Sequence, residues 1–389
     1  MYLYIILFYF RELYNNMSIL DLVDRLLKCR PMVFYGPADS YLLMDGKTQG
    51  TGGFEQVGHS SESSKLSFLQ LMTYDEMKLS ALISVSSQSV FINSGSRHNR
   101  GIPQSSGNFS SDGVIIGQIG ARFEKPGLME WQDCMITRDQ NTSENGYGDL
   151  DFKDLSKKSL IKFWGCLWSE GPFPTFSEAK KTPEDFNSVS PDLLFNKKIY
   201  KARIRMVADI LLAEAISRAK KHEKVAYIHV VGLGLGVWKI TSLQTEVYVT
   251  AFGEALQNCK ETEYISDINF SWISAKECCG TKSGEEFPNT KVKIHFSKRD
   301  LHDKVPEGCL LVCNFAWDSN SLPGNEFWLN MLSASGDPAA ACSSSIAELH
   351  NHAINPLITS SNLHVATVDK GVMHISQYAK FKLAELNKN

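Results

Sequence analysis

The chain has 389 residues, enough for one large domain or two smaller ones. Hydrophobic residues make up 43% and charged residues 21%, which supplies a sizeable core and excludes wholesale disorder. A formal net charge of -3 argues against a protein held to nucleic acid by a phosphate-neutralising surface.

The apolar run at 1–10 is too short to span a bilayer as a helix. Arg11 and Glu12 follow it where a secretory signal would want a small-residue cleavage site. Residues 1–16 are therefore set apart as an extension or a misassigned start. Ser18 is placed to cap a helix running to about Lys28, with Asp21 in its first turn. The Gly- and Ser-rich stretch near 47–66 reads as loop. A helix is expected over 74–85, a short strand over 89–93, a polar loop over 95–101 and a strand over 114–123, which Gly117 and Gly120 weaken. Residues 138–157 read as exposed.

The texture changes near Asn196. Ile204, Val207, Leu211 and Ala215 recur at helical spacing within 197–223, and the lysine-rich end suits a helix C-terminus. Strands are then expected over 226–231, 291–296, 309–315 and 363–368. The segment 244–256 reads as helix, or as strand followed by helix, and a helix is expected from Asp337, a strong N-cap with Pro338 behind it, to about His352. Alternating helices and apolar strands indicate an α/β fold with a mostly parallel sheet covered on both faces. The nine cysteines include no CxxC pair and read as reduced thiols of a cytoplasmic protein; no metal cluster is visible.

Two loops carry the chemistry. Gly232-Leu233-Gly234-Leu235-Gly236-Val237-Trp238 directly follows an apolar strand, where glycines let successive amides form a nest for phosphate oxygens. The dinucleotide-binding pattern wants its third glycine at 237, which is Val, and an acid near 252, which is Phe. A Walker loop is excluded, since no Gly-Lys-Ser/Thr follows. Alone, the loop leaves phosphate binding and a bare turn equally open. The second loop, Asn314-Phe315-Ala-Trp317-Asp318 to Pro323-Gly324-Asn325-Glu326, also follows a strand, and Asp337 comes shortly after. Three carboxylates near one loop suit the orientation of sugar hydroxyls, the holding of a guanidinium, or activation of water. Capping and solvated-surface roles explain each of them singly.

At these loops the sequence resembles a macrodomain, with the phosphate loop first, so the implied arrangement is divergent or permuted. It is more closely similar to the MavL-like family, named for a Legionella effector with eukaryotic relatives. The likeness rests on Tyr74-Asp-Glu, Phe91-Ile-Asn-Ser-Gly-Ser-Arg97-His-Asn99-Arg-Gly101, Gly120-Ala-Arg122-Phe-Glu124, Met129-Glu-Trp131, Gly232–Trp238, Phe315-Ala-Trp-Asp318, Pro323-Gly-Asn-Glu326 and Gly336-Asp337-Pro. It covers the chain from about residue 17. The resemblance implies a hydrolase of N-glycosidic ADP-ribosyl-protein bonds acting on arginine, with ubiquitin as the modified protein in the effector's case. Asp318, Glu326 and Asp337 are then the expected catalytic residues. Gly232 to Trp238, Phe315, Asn325, Arg97 and Asn99 are the expected ligand contacts. Arg122 and Glu124 are candidates for the diphosphate or adenine, with Phe123 stacking.

The expected organisation is an N-terminal α/β region over 17–195 packed on a macrodomain-like, ADP-ribose-binding core over 196–389. Expected partners are ADP-ribose and an ADP-ribosylated protein, with no cofactor, nucleic acid or membrane. The rivals are a non-catalytic reader of ADP-ribose, a nicotinamide dehydrogenase, and a ubiquitin-binding scaffold with a vestigial pocket.

Overall fold

The structure is a computed structural model, and it describes residues 13–105, 110–149, 151, 160–169, 171–317, 320–333, 342, 350–367 and 369–386. Its centre is a six-stranded mixed sheet built from β1 (Val85–Phe91), β2 (Ser110–Gln118), β3 (Val225–Val230), β4 (Ile265–Ser271), β5 (Lys293–Ser297) and β6 (Cys309–Ala316). The spatial order is β5-β4-β3-β6-β2-β1; all neighbours are parallel except β1, which pairs antiparallel with β2. The strands before and after residue 196 thus share one sheet.

Strand side chains alternate between two cores. Val114 and Ile116 of β2, Ala226, Ile228 and Val230 of β3, and Leu310 and Val312 of β6 face one core. Ile115, Leu311, Cys313 and Phe315 face the other. Because both faces are covered, these strands read as unbroken apolar runs rather than as alternating ones. On the first face lie the long helix Lys197–Lys221, whose Asn196 side chain accepts from the Ile199 amide, and the helix Leu243–Asn258, to which Val249, Phe252 and Leu256 belong. The second face is closed partly by Val23 and Leu27 of the helix Ile19–Lys28, which opens with a capping box between Ser18 and Asp21. The other side of that helix joins Phe54, Phe68, Met72 and Met77 in a separate N-terminal core. Tyr14, within the segment set apart at 1–16, donates to Glu76 at 2.9 Å and packs edge-on against Phe68. Among the described residues no helix is long and apolar enough to cross a membrane.

Several elements differ from expectation for visible reasons. The helix expected over 74–85 stops at Ser80, whose hydroxyl donates back to the Met77 carbonyl at 2.6 Å. The chain then enters β1 at Val85, and its serines suit an edge strand paired on one side only. The strand expected over 114–123 runs from Ser110 to Gln118, so the segment carrying Arg122 is loop. Strand β4 had no counterpart among the expected strands. Its Asp267, Asn269 and Ser271 break the apolar run, yet Asp267 pairs with His295 and Asn269 with Tyr227 and Ser297 on neighbouring strands. The strand expected over 363–368 forms a hairpin, His364–Thr367 with Gly371–His374, outside the central sheet. The helices Leu160–Ser169 and Ile375–Leu386 were not anticipated. The helix expected from Asp337 falls mostly outside the described residues.

Candidate active site

Parallel strands β3, β6 and β2 lie side by side, so their following loops emerge together at one edge of the sheet. This carboxyl edge is where open α/β sheets hold ligands. Its floor is a line of buried side-chain amides. Asn314, the sixth residue of β6, accepts from the Val231 amide at 2.9 Å, where the β3 ladder ends. Its amide group reaches Gln118 of β2 at 3.5 Å, and Gln118 donates to the Val207 carbonyl at 2.9 Å. Tyr248 donates to the Val231 carbonyl at 2.8 Å. The Val231 amide and carbonyl, where the strand ladder ends, are thus both answered by side chains, as burial demands.

The glycine loop is two successive turns, closed by Leu235 to Gly232 and by Lys239 to Gly236, both 3.1 Å. Gly234 sits at φ +76, a conformation that disfavours any side chain, and a Cβ there would stand 3.0 Å from the Ala121 carbonyl oxygen. A Cβ on Gly120 would stand 2.7 Å from the Leu233 carbonyl carbon and 2.8 Å from the Gly234 nitrogen. The loops after β2 and β3 therefore touch backbone to backbone. Among the described residues, the amides of Gly234, Gly236, Val237 and Trp238 donate to no protein acceptor. Space beside Gly236 is open, and Val237 is 86% exposed. Unpaired amides on consecutive turns are what an anion nest requires. Leu233 is buried, so only its backbone is available to a ligand, while Trp238 is half-buried with its indole N–H 3.5 Å from Glu124.

The loop after β6 is held by parts of the chain distant in sequence. The Trp317 amide donates to the Gln118 carbonyl, and Gly117 leaves the space that the Trp317 side chain occupies. Arg30 lies 4.5 Å over the Trp317 ring and donates to the Ser321 carbonyl. The Leu322 amide donates to the Pro31 carbonyl at 2.8 Å, and Asn325 donates to the Met32 carbonyl at 2.7 Å. Among the described residues the buried Trp317 indole N–H has no hydrogen-bond acceptor. Glu326 stands half-buried in the first turn of the short helix Asn325–Trp328, begun by Gly324 at φ 75. Asp318 and Asp337 lie outside the described residues.

Beneath these loops is a buried charge cluster. Glu130 accepts from the Arg122 backbone amide at 3.1 Å, from its Nε at 2.8 Å and Nη2 at 2.9 Å, and from Arg203 Nη2 at 3.2 Å. Arg203 also donates to the Ile119 carbonyl at 2.8 Å. Arg122 Nη1 reaches the Met77 carbonyl and Asn320 Oδ1, each at 2.9 Å. Burial would push the Glu130 carboxyl up, but the guanidiniums of Arg122 and Arg203 and the Arg122 hydrogen bonds bring it down to about 2. Arg122 is thus a fixed strut rather than a ligand contact. Phe123 likewise packs in the core against Phe195 and Tyr200 instead of stacking on a ligand.

Of the other expected contacts, Phe315 is buried and stacks on His350, and Asn325 is committed through its amide to Met32. Asn99 closes the 3-10 turn Arg97–Asn99 by donating to Ser94 at 2.8 Å. That turn adjoins the loop after β6, since a Cβ on Gly101 would meet Leu332 at 2.7 Å. The glycine loop and the loop that leads to Glu326 thus share the carboxyl edge, whereas the 97–101 turn follows β1, whose antiparallel pairing sets Phe91 beside Ser110 at the start of β2. No role was expected for Arg30, Gln118, Glu130 or Arg203; of these Glu130 alone stands in a quoted motif, Met129-Glu-Trp131, and burial marks all four. Asp300, His302 and Asp303 bring ligand atoms within 4.8 Å of one another, all from one short loop. A cavity of about 610 Å³ lined by Lys220, Lys224, Glu263 and Tyr264 opens at the opposite, amino edge of the sheet.

Fold and site define an α/β protein with an unpaired-amide glycine loop and a carboxylate-bearing loop at the carboxyl edge of its parallel strands. The profile of the family described as ADP-ribosylhydrolase MavL-like matches residues 9–381, and the chain belongs to that family. Two Drosophila melanogaster proteins are similar to it over 95% of its length. ADP-ribosylarginine hydrolase CG3568 is 40% identical, with 75% of that protein covered, and ADP-ribosylarginine hydrolase CG2909 is 37% identical, with 76% covered. The chain is accordingly an enzyme of the ADP-ribosyl hydrolase class.

Proposed function

We propose that this chain hydrolyses the bond between ADP-ribose and an arginine side chain of a modified protein. The observation that carries the reading is the glycine loop, with four amides unpaired among the described residues, set backbone to backbone against the loop after β2 and one strand away from the loop that leads to Glu326. The arginine linkage is taken from the two Drosophila relatives, both named ADP-ribosylarginine hydrolases.

In this reading the loop Gly232 to Trp238 holds the diphosphate, through the amides of Gly234, Gly236, Val237 and Trp238. Asp318 and Glu326 bind the distal ribose and position water at its anomeric carbon, and Asp337 holds the guanidinium. Water adds to the anomeric carbon, the C–N bond breaks, and the nitrogen leaves with a proton as neutral or protonated guanidine. A guanidine is a strong base, so carboxylates around it favour departure by stabilising its positive form. Arg97 and Asn99 complete the ligand surface from the adjoining turn. The sheet with helices on both faces supports reading the core as a divergent or permuted macrodomain. Ubiquitin as the modified protein is the narrower form of the proposal, carried by the family resemblance alone.

The test is incubation of the full chain with arginine-, glutamate- and serine-linked ADP-ribosyl peptides, and with arginine-ADP-ribosylated ubiquitin, read by mass spectrometry. Release of free ADP-ribose from the arginine peptide and from the arginine-modified ubiquitin, and none from the glutamate and serine peptides, is expected. Binding of ADP-ribose with no release from any substrate would leave a reader and sink the enzyme reading.

A further inference from the structure

A second reactive locus stands outside this site. Chain leaving the carboxyl end of β4 forms the small hairpin Glu277–Cys278 and Thr281–Lys282, whose turn is Cys279-Gly280. Cys278 is buried and its neighbour Cys279 is exposed. Both sulfurs lie over one spot on the helix Leu243–Asn258. A Cβ on Gly253 would stand 2.5 Å from the Cys279 sulfur and 3.0 Å from the Cys278 sulfur. The two sulfurs are therefore within about 5.5 Å of each other, the sum of those reaches, and any larger residue at 253 would drive them away.

Local backbone keeps Cys279 accessible. It adopts φ 49, a left-handed conformation uncommon for a residue with a side chain, and Gly280 follows at φ 85. The Cys278 thiol faces the Val249 carbonyl at 3.5 Å and the Cys279 thiol faces the Thr250 carbonyl at 3.7 Å. Both sulfurs thus lie beside consecutive carbonyls on the same face of the helix. Hydrogen bonding from Cys278 draws the Cys279 thiol down to about 7, against its partial burial and the charge of Glu254, with Lys201 assisting; the Cys278 thiol is pushed up by the same pairing and by burial. Cys279 is thus the sulfur readier to ionise and Cys278 the one that keeps its proton, the division of labour of an attacking and a resolving thiol.

We propose that Cys279 and Cys278 form a hydroperoxide-reactive site, in which Cys279 is the attacking and Cys278 the resolving thiol. The Cys279 thiolate attacks one peroxide oxygen, the O–O bond breaks, and sulfenic acid forms as hydroxide leaves and is protonated to water. The Cys278 sulfur then attacks the Cys279 sulfur, the S–O bond breaks, and a second water leaves with the Cys278 proton. Two thiols and one peroxide give one disulfide and two waters. Adjacent residues hold their Cα atoms about 3.8 Å apart, closer than the usual disulfide span of roughly 4.4–6.8 Å. The product is strained and readily reduced by a monothiol, which makes the modification reversible.

The experiment treats the reduced full chain with one to a few equivalents of hydrogen peroxide, alkylates remaining thiols, digests, and measures the peptide containing Cys278 and Cys279. The exposed Cys166 serves as comparator within the same molecule. The expected result is early loss of two hydrogens and of both alkylation sites from the 278–279 peptide, while Cys166 stays alkylatable, with restoration by dithiothreitol. In Cys278→Ser, whose fold is checked by circular dichroism, the sulfenic acid at Cys279 should persist and be trapped by dimedone, with no loss of two hydrogens. Oxidation of Cys166 at an equal or faster rate would overturn the proposal. So would progression of Cys279 to sulfinic acid in the wild type without disulfide, or a wild-type pair that stays fully alkylatable.

Discussion

Arg122 Nη1 donates to Asn320 Oδ1 at 2.9 Å, although 198 positions separate the two residues. Through this contact the loop after β2 holds the loop after β6, two positions beyond Asp318. The same guanidinium grips Glu130, and Glu130 grips Arg203 of the long helix, which in turn holds the Ile119 carbonyl. One buried cluster thus sets the spacing between the strand-end loops that flank the candidate site.

Removing Arg122 should therefore act on stability and turnover together. Arg122→Ala leaves Glu130 buried with one guanidinium in place of two, and breaking a buried pair costs about 3–5 kcal/mol. Arg122→Lys should not rescue it, since a single ammonium cannot reach Glu130, Met77 and Asn320 at once. Urea unfolding checks the first effect and hydrolysis of an arginine-linked substrate the second. An Arg122→Ala enzyme within about 1 kcal/mol of wild type would mean the cluster does not brace the loops.

Glycines around the site should separate folding from binding. Gly120→Ala drives a methyl group into the backbone of Leu233 and Gly234, an overpacking that costs about 1–3 kcal/mol and displaces the glycine loop. Gly236→Ala meets open space in the protein and should leave stability within about 0.5 kcal/mol. Its methyl group would meet a phosphate held at the loop, so ADP-ribose affinity should fall at least tenfold. Calorimetric titration beside thermal unfolding measures both; full affinity in Gly236→Ala would place the ligand elsewhere.

Two buried histidines predict an acid-side loss of stability. Burial lowers His229 to about 3, with the Arg299 charge adding to it, and burial lowers His350 to about 3. Between the ordinary histidine value near 6.5 and about 3, the unfolded chain binds these protons and the folded chain does not. Stability should therefore fall as pH drops through that window, with a slope of about 1.4 kcal/mol per pH unit for each histidine. Glu130 acts lower: its depressed carboxyl stabilises the fold above about 4.5, and that contribution fades as pH falls toward 2. Unfolding curves between pH 7 and 5 should show the histidine slope reduced by about half in His350→Gln. An unchanged slope would show that His350 does not contribute.

Trp238 offers an optical report. It stands on the glycine loop, half-buried beside Glu124, whereas Trp272 is 65% exposed on the loop after β4. Titration with ADP-ribose should change tryptophan emission in the wild type and in Trp272→Phe, and lose most of that change in Trp238→Phe. Equal signals in both variants would argue against a ligand at this loop.

The strands that position the site were legible because both faces of the sheet are covered, which leaves β3 and β6 as plain apolar runs. The glycine loop was legible because only glycine serves a backbone that turns at Gly234 and meets its neighbour at Gly120. Gly117 and Gly120 misled the strand assignment for the same reason: they make room for Trp317 and for the glycine loop, contacts that no local pattern records. Strand β4 was hidden because its polar residues are satisfied across strands by His295, Tyr227 and Ser297. Arg122 looked like a ligand contact because its acid partner, Glu130, is eight positions on and becomes a partner only through the turn at 125–130. The clamp from Arg30, Pro31 and Met32 onto residues 321–325 joins opposite ends of the chain and has no sequence signal at all.

The most direct measurement compares Asp318→Ala with the wild type on one arginine-ADP-ribosylated substrate, with ADP-ribose affinity measured on both. The account predicts that the wild type releases free ADP-ribose, and that Asp318→Ala loses turnover at least a hundredfold while binding ADP-ribose within about tenfold of wild type, about 1.4 kcal/mol. Undiminished turnover in Asp318→Ala, or a wild type that does not bind ADP-ribose, would contradict it.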